Sequence, residues 1–174
     1  GMGRIGQKIG KVAKSLGMVI HYHNRSKLDS GKENGAIYHK TLESLMSVSD
    51  VLSVCCPASK ETINLINKKT ISLLPNGAIV TNVARGDIVD DDALIEALDS
   101  KKVSAVGLDV YKNEPKLNPG YLKHSRAFVL PHLGSATFET RTAMANLAID
   151  NISEFFETGS VSYTHLRAHE TDRY

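Results

Sequence analysis

The most constraining feature of the sequence is a short apolar run at residues 77–83 that ends at Arg85. Acidic residues at 90–92 follow and are suited to begin a helix, since carboxylates favour the positive end of a helix dipole. A short apolar strand followed by a helix is typical of a buried parallel sheet. The sequence therefore predicts an α/β fold with Arg85 at the carboxyl end of a strand, where such sheets place their chemistry.

The same alternation of strand and helix extends over most of the chain. Turn-forming residues at 75–77 mark one boundary, and the long last helix has Thr137 as its predicted N-cap and Gly159 as its end. Strands are predicted at residues 18–23, 36–38, 50–55, 77–83, 103–110 and 128–130, and helices at residues 5–16, 41–46, 62–66, 68–74, 90–98 and 137–158. This order predicts one parallel α/β domain.

The composition is that of an ordinary globular protein that acts on small molecules. Of the 174 residues, 41% are hydrophobic and 23% are charged, which is enough for one core. The net charge of +2 is interspersed and provides no basic stripe for nucleic acid. No run is long enough for a membrane span, and no secretory signal begins the chain. Cys55 and Cys56 are too close for an ordinary disulfide, which indicates reduced thiols in the cytoplasm.

The first six residues match G-x-G-x-x-G through Gly1, Gly3 and Gly6. In dinucleotide-binding proteins such glycines form a tight strand-to-helix turn that brings a pyrophosphate to the helix N-terminus. The alternative is a glycine-rich terminus without function, because the pattern alone is a weak signal. The loop needs a strand before it, and we expect that strand to be missing from these residues.

A turn about twenty residues later holds Asn24, Arg25 and Ser26. NAD-binding domains place an acidic residue here to hold the ribose 2′-hydroxyl. Asn24 removes that charge, and Arg25 with Ser26 adds donors suited to a 2′-phosphate, so NADP is favoured over NAD. The alternative is a solvated turn.

Three polar residues follow successive predicted strands: Arg85, Glu114 and His132. An arginine fork can grip a carboxylate, and a glutamate can hold an imidazole that transfers protons near neutral pH. If the three loops converge, they form a site for 2-oxo acids. Asp109, at the exit of the strand before Glu114, has two equal interpretations, a cofactor contact or a turn-stabilising carboxylate.

Residues 161–171, VSYTHLRAHET, show no helical or strand periodicity and resemble the translation of a transposon-type sequencing adapter. We therefore interpret residues 1–160 as the native domain and residues 161–174 as a non-native tail. His165 and His169 have the spacing of a metal-binding pair on a helix. Without an acidic third ligand, no metal site is predicted.

Four motifs in consistent order resemble the cofactor domain of the D-2-hydroxyacid dehydrogenases over residues 1 to about 158. They are the glycine loop, NVARGDIVD at 82–90, GLDVYKNEP at 107–115 and LPHLGSAT at 130–137. The turn at Asn24 is most similar to that of the glyoxylate and hydroxypyruvate reductase branch. The resemblance implies a Rossmann-like, doubly wound parallel sheet that binds NAD(P), in a homodimeric enzyme that reduces glyoxylate or hydroxypyruvate to the D-2-hydroxy acid.

The resemblance also implies a role for each matching residue. Arg85 would bind the substrate carboxylate and 2-oxo group, Glu114 would pair with His132, and His132 would donate the proton. Besides the three glycines, the implied cofactor contacts are Arg4, Ile5, Asn24, Arg25, Ser26, Pro57, Thr62, Val83, Ala84, Asp109 and Gly134.

Two departures from the family pattern set further expectations. The family's substrate domain precedes the glycine loop and takes up the chain again after the last helix, and we expect it to be absent from these 174 residues. Leu130 stands where formate dehydrogenases have Gln, which argues against formate as substrate. A different class remains open, a dinucleotide-sensing protein similar to the C-terminal-binding-protein corepressors, and enzymatic turnover would distinguish the two.

Overall fold

A computed structural model of the chain describes residues 1–161, which form two parallel sheets. The strands are β1 (His21–Tyr22), β2 (Ile37–Tyr38), β3 (Val51–Val54), β4 (Ala78–Asn82), β5 (Val103–Leu108) and β6 (Ala127–Val129). β1 pairs with β2, and the larger sheet has the order β3-β4-β5-β6. Every strand pairing in this part of the chain is parallel, so the carboxyl ends of β3 to β6 share one edge. The predicted parallel α/β fold class is confirmed.

Helices connect the strands. They are α1 (Arg4–Ser15), α2 (Ser30–Glu33), α3 (Leu42–Met46), α4 (Lys68–Ser72), α5 (Asp91–Asp99) and α6 (Phe138–Thr158), with 3-10 turns at Gly86–Ile88 and Tyr121–Lys123. The predicted N-cap Thr137 is confirmed, since its side chain accepts the Thr140 amide, and of the three acidic residues at 90–92 it is Asp90 that caps α5 by accepting the Ala93 amide. Within residues 1–161, no helix combines the length and apolar character needed to cross a membrane.

Two segments differ from their predicted structure. Residues 62–66 do not form the predicted helix, because Ile66 makes an isolated parallel bridge with Val89 and exchanges hydrogen bonds with Ile88 and Asp90. The first strand is limited to His21–Tyr22, although residues 18–23 are all compatible with a strand. In both cases long-range pairing, which periodicity does not encode, determines the outcome.

The core lies between the larger sheet and helices α3 to α5. Val80, Leu94, Leu98 and Val103 are completely buried there. By contrast, the predicted apolar faces of α1 and α6 are largely exposed. Exposed apolar residues on these helices include Ile5, Val12, Leu16, Phe138, Met144, Ile152, Phe155 and Phe156. Sequence periodicity identifies such a face but not the surface that covers it.

Gly1 and Met2 lie between the exits of β1 and β3. Met2 is buried, and its amide donates to Asn24 Oδ1, just beyond β1, over 2.7 Å. A Cβ on Gly1 would stand 2.6 Å from the backbone nitrogen of Cys56, just beyond β3. The glycine loop therefore bridges two strands that do not pair with each other. A further strand at this place stays a prediction.

The predicted non-native tail, with His165 and His169, falls almost wholly beyond position 161 and so lies outside the described residues. Gly159, in the left-handed conformation with φ of 72°, ends α6 as predicted. The proposed division at residue 160 stays a prediction.

Candidate active site at the carboxyl edge of the sheet

The turn after β4 is shaped by the side chain of Asn82, which is only 1% exposed. Its Oδ1 accepts the Ala84 amide at 3.0 Å, and its Nδ2 donates to the Arg85 carbonyl at 2.9 Å. Arg85 itself has an extended backbone and is exposed, and its Nη1 donates to the Ala84 carbonyl. The predicted substrate-binding arginine therefore lies at the open edge of the sheet, on a turn closed from within.

Glu114 and His132 are brought together from the loops after β5 and β6. His132 Nδ1 lies 2.8 Å from Glu114 Oε2, and Glu114 Oε1 accepts the Tyr111 amide at 3.1 Å. Because a carboxylate only accepts hydrogen bonds, Nδ1 carries the hydrogen of this contact. The other ring nitrogen, Nε2, then remains for an incoming group. The side chains are 45% and 32% exposed, which leaves the pair accessible.

Asp109 fixes the segment that follows His132. Its Oδ1 accepts the Leu133 amide at 2.6 Å and its Oδ2 accepts the Gly134 amide at 2.8 Å. The loop residue His132 has φ of 55°, a left-handed conformation that is uncommon for residues other than glycine. Both carboxylate oxygens thus hold the loop, as the turn-stabilising interpretation expects, while the cofactor contact stays a prediction.

The glycine loop has room for a ligand at its middle position. A Cβ on Gly6 would overlap with the Gly1 carbonyl oxygen, so Gly6 is required by packing within the loop, whereas Gly1 is required by the backbone of Cys55 and Cys56. A Cβ on Gly3 would meet nothing within 4 Å, and Gly3 is the N-cap of α1 without a side-chain cap. The N-terminus of α1 therefore begins beside open space, and a helix N-terminus is suited to bind a pyrophosphate.

The predicted 2′-phosphate turn is exposed at Arg25 and Ser26. Asn24 is half-buried, and its side-chain oxygen is taken by the Met2 amide. The pKa of Glu61 lies below its ordinary value, chiefly because Ser59 Oγ donates to it, and the charge of Arg25 lowers it further. Arg25 thus lies within electrostatic range of the loop that carries Glu61.

The remaining predicted cofactor residues lie at the exits of β3 and β4. Thr62 Oγ1 donates to the Pro57 carbonyl at 2.8 Å and so closes the loop after β3. Val83 is exposed and Ala84 is buried in the turn before Arg85. Their contacts with a cofactor stay predictions. Among residues 1–161, no group of three or more His, Cys, Asp and Glu side chains could hold a metal ion.

Two contributors escaped prediction as site residues, the side chain of Asn82 and the glycine at position 86. Gly86 is buried against the backbone of Tyr111 and Lys112, so the loop carrying Arg85 touches the loop carrying Glu114. A signal for Asn82 was present, since asparagine often bonds the backbone two residues on. The signal for Gly86 was its place in the turn three residues after the predicted strand end at residue 83.

Comparison with known proteins identifies the family. The family model for the NAD-binding domain of D-isomer specific 2-hydroxyacid dehydrogenases matches residues 1–134. A glyoxylate reductase of Pyrococcus furiosus is 42% identical over 156 residues, which are 89% of this chain and 46% of that protein. A 4-methyl-2-oxopentanoate reductase A of Aspergillus oryzae is 39% identical over 161 residues, or 92% and 49% of the two chains.

A solved structure agrees with both sequence relatives. The NADPH-dependent glyoxylate/hydroxypyruvate reductase of Sinorhizobium meliloti, in complex with NADP and malonate, superposes with a TM-score of 0.88 at 35% identity, covering 93% of this chain and 50% of that one. The chain spans about half the length of these relatives. The resemblance inferred from the four motifs is confirmed, and the chain belongs to the D-isomer specific 2-hydroxyacid dehydrogenases, whose Rossmann-like NAD-binding domain it contains.

Proposed function

We propose that the protein carrying this chain reduces a small 2-oxo acid, glyoxylate or hydroxypyruvate, to the D-2-hydroxy acid with NAD(P)H. The observation that carries this proposal is the 2.8 Å contact between His132 Nδ1 and Glu114 Oε2, next to a loop that presents Arg85. This reduction requires a proton donor and a carboxylate-binding cation from the protein, and the exits of β6 and β4, on either side of β5, supply them.

Each side chain has a distinct part in the proposed reaction. The carboxylate of Glu114 holds the Nδ1–H, so the proton for the substrate oxygen is delivered from His132 Nε2. Arg85 binds the substrate carboxylate through its guanidinium and fixes the orientation of the 2-oxo group. When bound, a reduced nicotinamide would supply the hydride to the 2-oxo carbon. The residues proposed to hold the dinucleotide are those of the glycine loop and the predicted cofactor residues at the exits of β1, β3, β4, β5 and β6.

We propose further that NADPH is preferred to NADH. The side-chain oxygen of Asn24 already accepts the Met2 amide, and a neutral carboxamide cannot form the charged hydrogen bond by which an acidic residue holds a ribose diol. Arg25 is exposed beside it and can form charge-assisted bonds to a 2′-phosphate. The negative charge of Glu61, within electrostatic range of Arg25, would repel a 2′-phosphate. The preference for NADPH therefore requires that the attraction of Arg25 for the phosphate exceeds this repulsion.

The test of the function is a turnover assay on the full-length protein with a panel of 2-oxo acids and both reduced cofactors. We expect the highest kcat/KM for glyoxylate or hydroxypyruvate. Tight dinucleotide binding without reduction of any 2-oxo acid would refute the enzyme and support the corepressor-like alternative.

We also propose that the full-length protein is a cytoplasmic homodimer and that residues 1–174 alone have no activity. The two thiols Cys55 and Cys56 are unpaired, as the cytoplasmic assignment requires. Within residues 1–161, β1 and β3 do not pair with each other, which leaves edges of the two sheets without a strand partner in that part of the chain. Sedimentation of the full-length protein, and thermal unfolding with an activity assay of the 174-residue chain, test these points. A cooperative transition with measurable reductase activity would contradict the second.

A further inference from the structure

The side chain of Asn82 uses its two functional groups on a single turn. It is the last residue of β4, and its carboxamide is turned into the protein with 1% exposure. The oxygen accepts the Ala84 amide and the nitrogen donates to the Arg85 carbonyl, at 3.0 and 2.9 Å. Both backbone groups belong to the turn that ends at Arg85, so this one side chain sets the path of the chain into Arg85.

No other common side chain of this size satisfies the turn. Aspartate would keep the acceptor for Ala84 but would place a second oxygen against the Arg85 carbonyl, because a carboxylate has no donor. Leucine would leave the buried Ala84 amide and the part-buried Arg85 carbonyl without their side-chain partner, which is unfavourable. The turn therefore requires a carboxamide, which supplies one acceptor and one donor.

The backbone of Asn82 also contacts the residue that follows the neighbouring strand β5. Its carbonyl accepts the Asp109 amide at 3.0 Å, and the Asp109 carboxylate holds the Leu133 and Gly134 amides that follow His132. Asn82 thus lies where the loop of Arg85 and the loop of His132 are both anchored. Its side chain acts only on the first of these.

We propose that Asn82 is a positioning residue that holds Arg85 in the geometry needed to bind the substrate carboxylate. This rests on the proposed function, because it needs Arg85 to contact the substrate. Asn82 does not itself touch substrate. Its effect on the substrate passes through the Arg85 backbone. A change that keeps the acceptor for the Ala84 amide but removes the donor to the Arg85 carbonyl therefore alters substrate binding more than cofactor binding.

The experiment is a double-mutant cycle in the full-length enzyme between Asn82→Asp and Arg85→Lys. With Arg85 present, we expect Asn82→Asp to raise KM for the 2-oxo acid by about tenfold, with the NADPH dissociation constant changed less than about twofold. In the Arg85→Lys background, Asn82→Asp should lower kcat/KM by less than roughly twofold, because the arginine that Asn82 positions is already absent. Asn76→Asp is the control, because it makes the same substitution at the exposed, opposite end of β4.

The possible results separate a positioning role of Asn82 from a folding role and from failure of the proposed function. Equal loss in both backgrounds would overturn the positioning role, as would unchanged KM in Asn82→Asp. Asn82→Ser, which keeps one hydroxyl for the turn, is measured in parallel with the melting temperature of every variant. If neither Asn82 variant folds, Asn82 is a folding residue and the proposal is wrong. If the wild-type enzyme reduces no 2-oxo acid, the proposed function fails instead, which the wild-type assay shows before any variant is compared.

Discussion

Gly86 packs its α-carbon against the backbone of Tyr111 so closely that a Cβ at position 86 would overlap with the Tyr111 carbonyl group. This contact joins the exit of β4 to the exit of β5. Arg85 precedes it by one residue, and Glu114 follows Tyr111 by three and accepts its amide. The distance between the proposed substrate-binding arginine and the Glu114–His132 pair is therefore controlled by a position without a side chain.

Gly86→Ala should separate these two loops. The new methyl group meets backbone atoms that cannot rotate away, so we expect a loss of roughly 1–3 kcal/mol in the free energy of unfolding, or more. Urea unfolding followed by circular dichroism measures it. Gly31→Ala is the matched control, because a Cβ there meets nothing within 4 Å. Equal stability of the two variants would show that the loops can separate without penalty.

His132→Ala should abolish proton delivery while it leaves the dinucleotide loop intact. Loss of a general acid typically lowers the rate by about 10²- to 10⁴-fold, so kcat should fall by that order. The NADPH dissociation constant should change little, because the proposed cofactor contacts do not include the His132 side chain and the Asp109 carboxylate still holds the Leu133 and Gly134 amides. Glu114→Gln should lower kcat less, since an amide oxygen can still accept the Nδ1–H. Equal loss of kcat and cofactor affinity in His132→Ala would assign His132 a structural role.

Arg25→Ala tests the proposed cofactor preference. A charged hydrogen bond to a phosphate is worth about 1.5–3 kcal/mol, so kcat/KM for NADPH should fall roughly tenfold or more while that for NADH is nearly unchanged. Lys27→Ala is the control, as it removes a nearby positive charge that pairs with Glu33 instead. A wild-type NADPH-to-NADH ratio near unity, or equal weakening of both cofactors, would contradict the assignment.

Tyr121→Phe should loosen the loop between β5 and β6. Tyr121 is 1% exposed, and its hydroxyl donates to Asp91 Oδ1 at 2.9 Å. Burial raises the pKa of Asp91 even though this hydrogen bond lowers it, so the carboxylate needs its donor. We expect a loss of roughly 1–2 kcal/mol in unfolding free energy. Tyr38→Phe, whose hydroxyl makes only a 3.4 Å contact with the Asn24 carbonyl, should lose less.

His39 should make stability decrease in mild acid. Partial burial lowers the pKa of His39 from its ordinary value of 6.5, and the neighbouring His21 and His23 lower it further. As pH falls below 6.5, the unfolded chain therefore takes up this proton before the folded chain does, and folding stability declines. Urea midpoints between pH 8 and pH 5 measure the effect in wild type and in His39→Gln. The variant should show a shallower decline, and identical slopes would exclude His39 as a contributor.

Much of the site could be predicted because its signals are local. The apolar run before Arg85, the N-caps Asp90 and Thr137, and the left-handed end at Gly159 each depend on a few neighbouring residues. The pairing of Glu114 with His132 was predicted by a different route, from the convergence of parallel strand ends and from the family resemblance. The apolar run, the N-caps and the helix end can be predicted without knowing what packs against them.

The tertiary structure alone decided the features that depend on long-range contact. Ile66 pairs with Val89 instead of forming a helix, because backbone groups from two distant segments meet there. Both oxygens of Asp109 accept amides of the loop after His132, a contact between residues 24 and 25 positions apart that the sequence did not specify. Gly86 is required by the backbone of Tyr111, 25 positions later along the chain. Residue type and spacing determine which elements form and where their polar ends lie, whereas close packing between loops fixes the arrangement of the site.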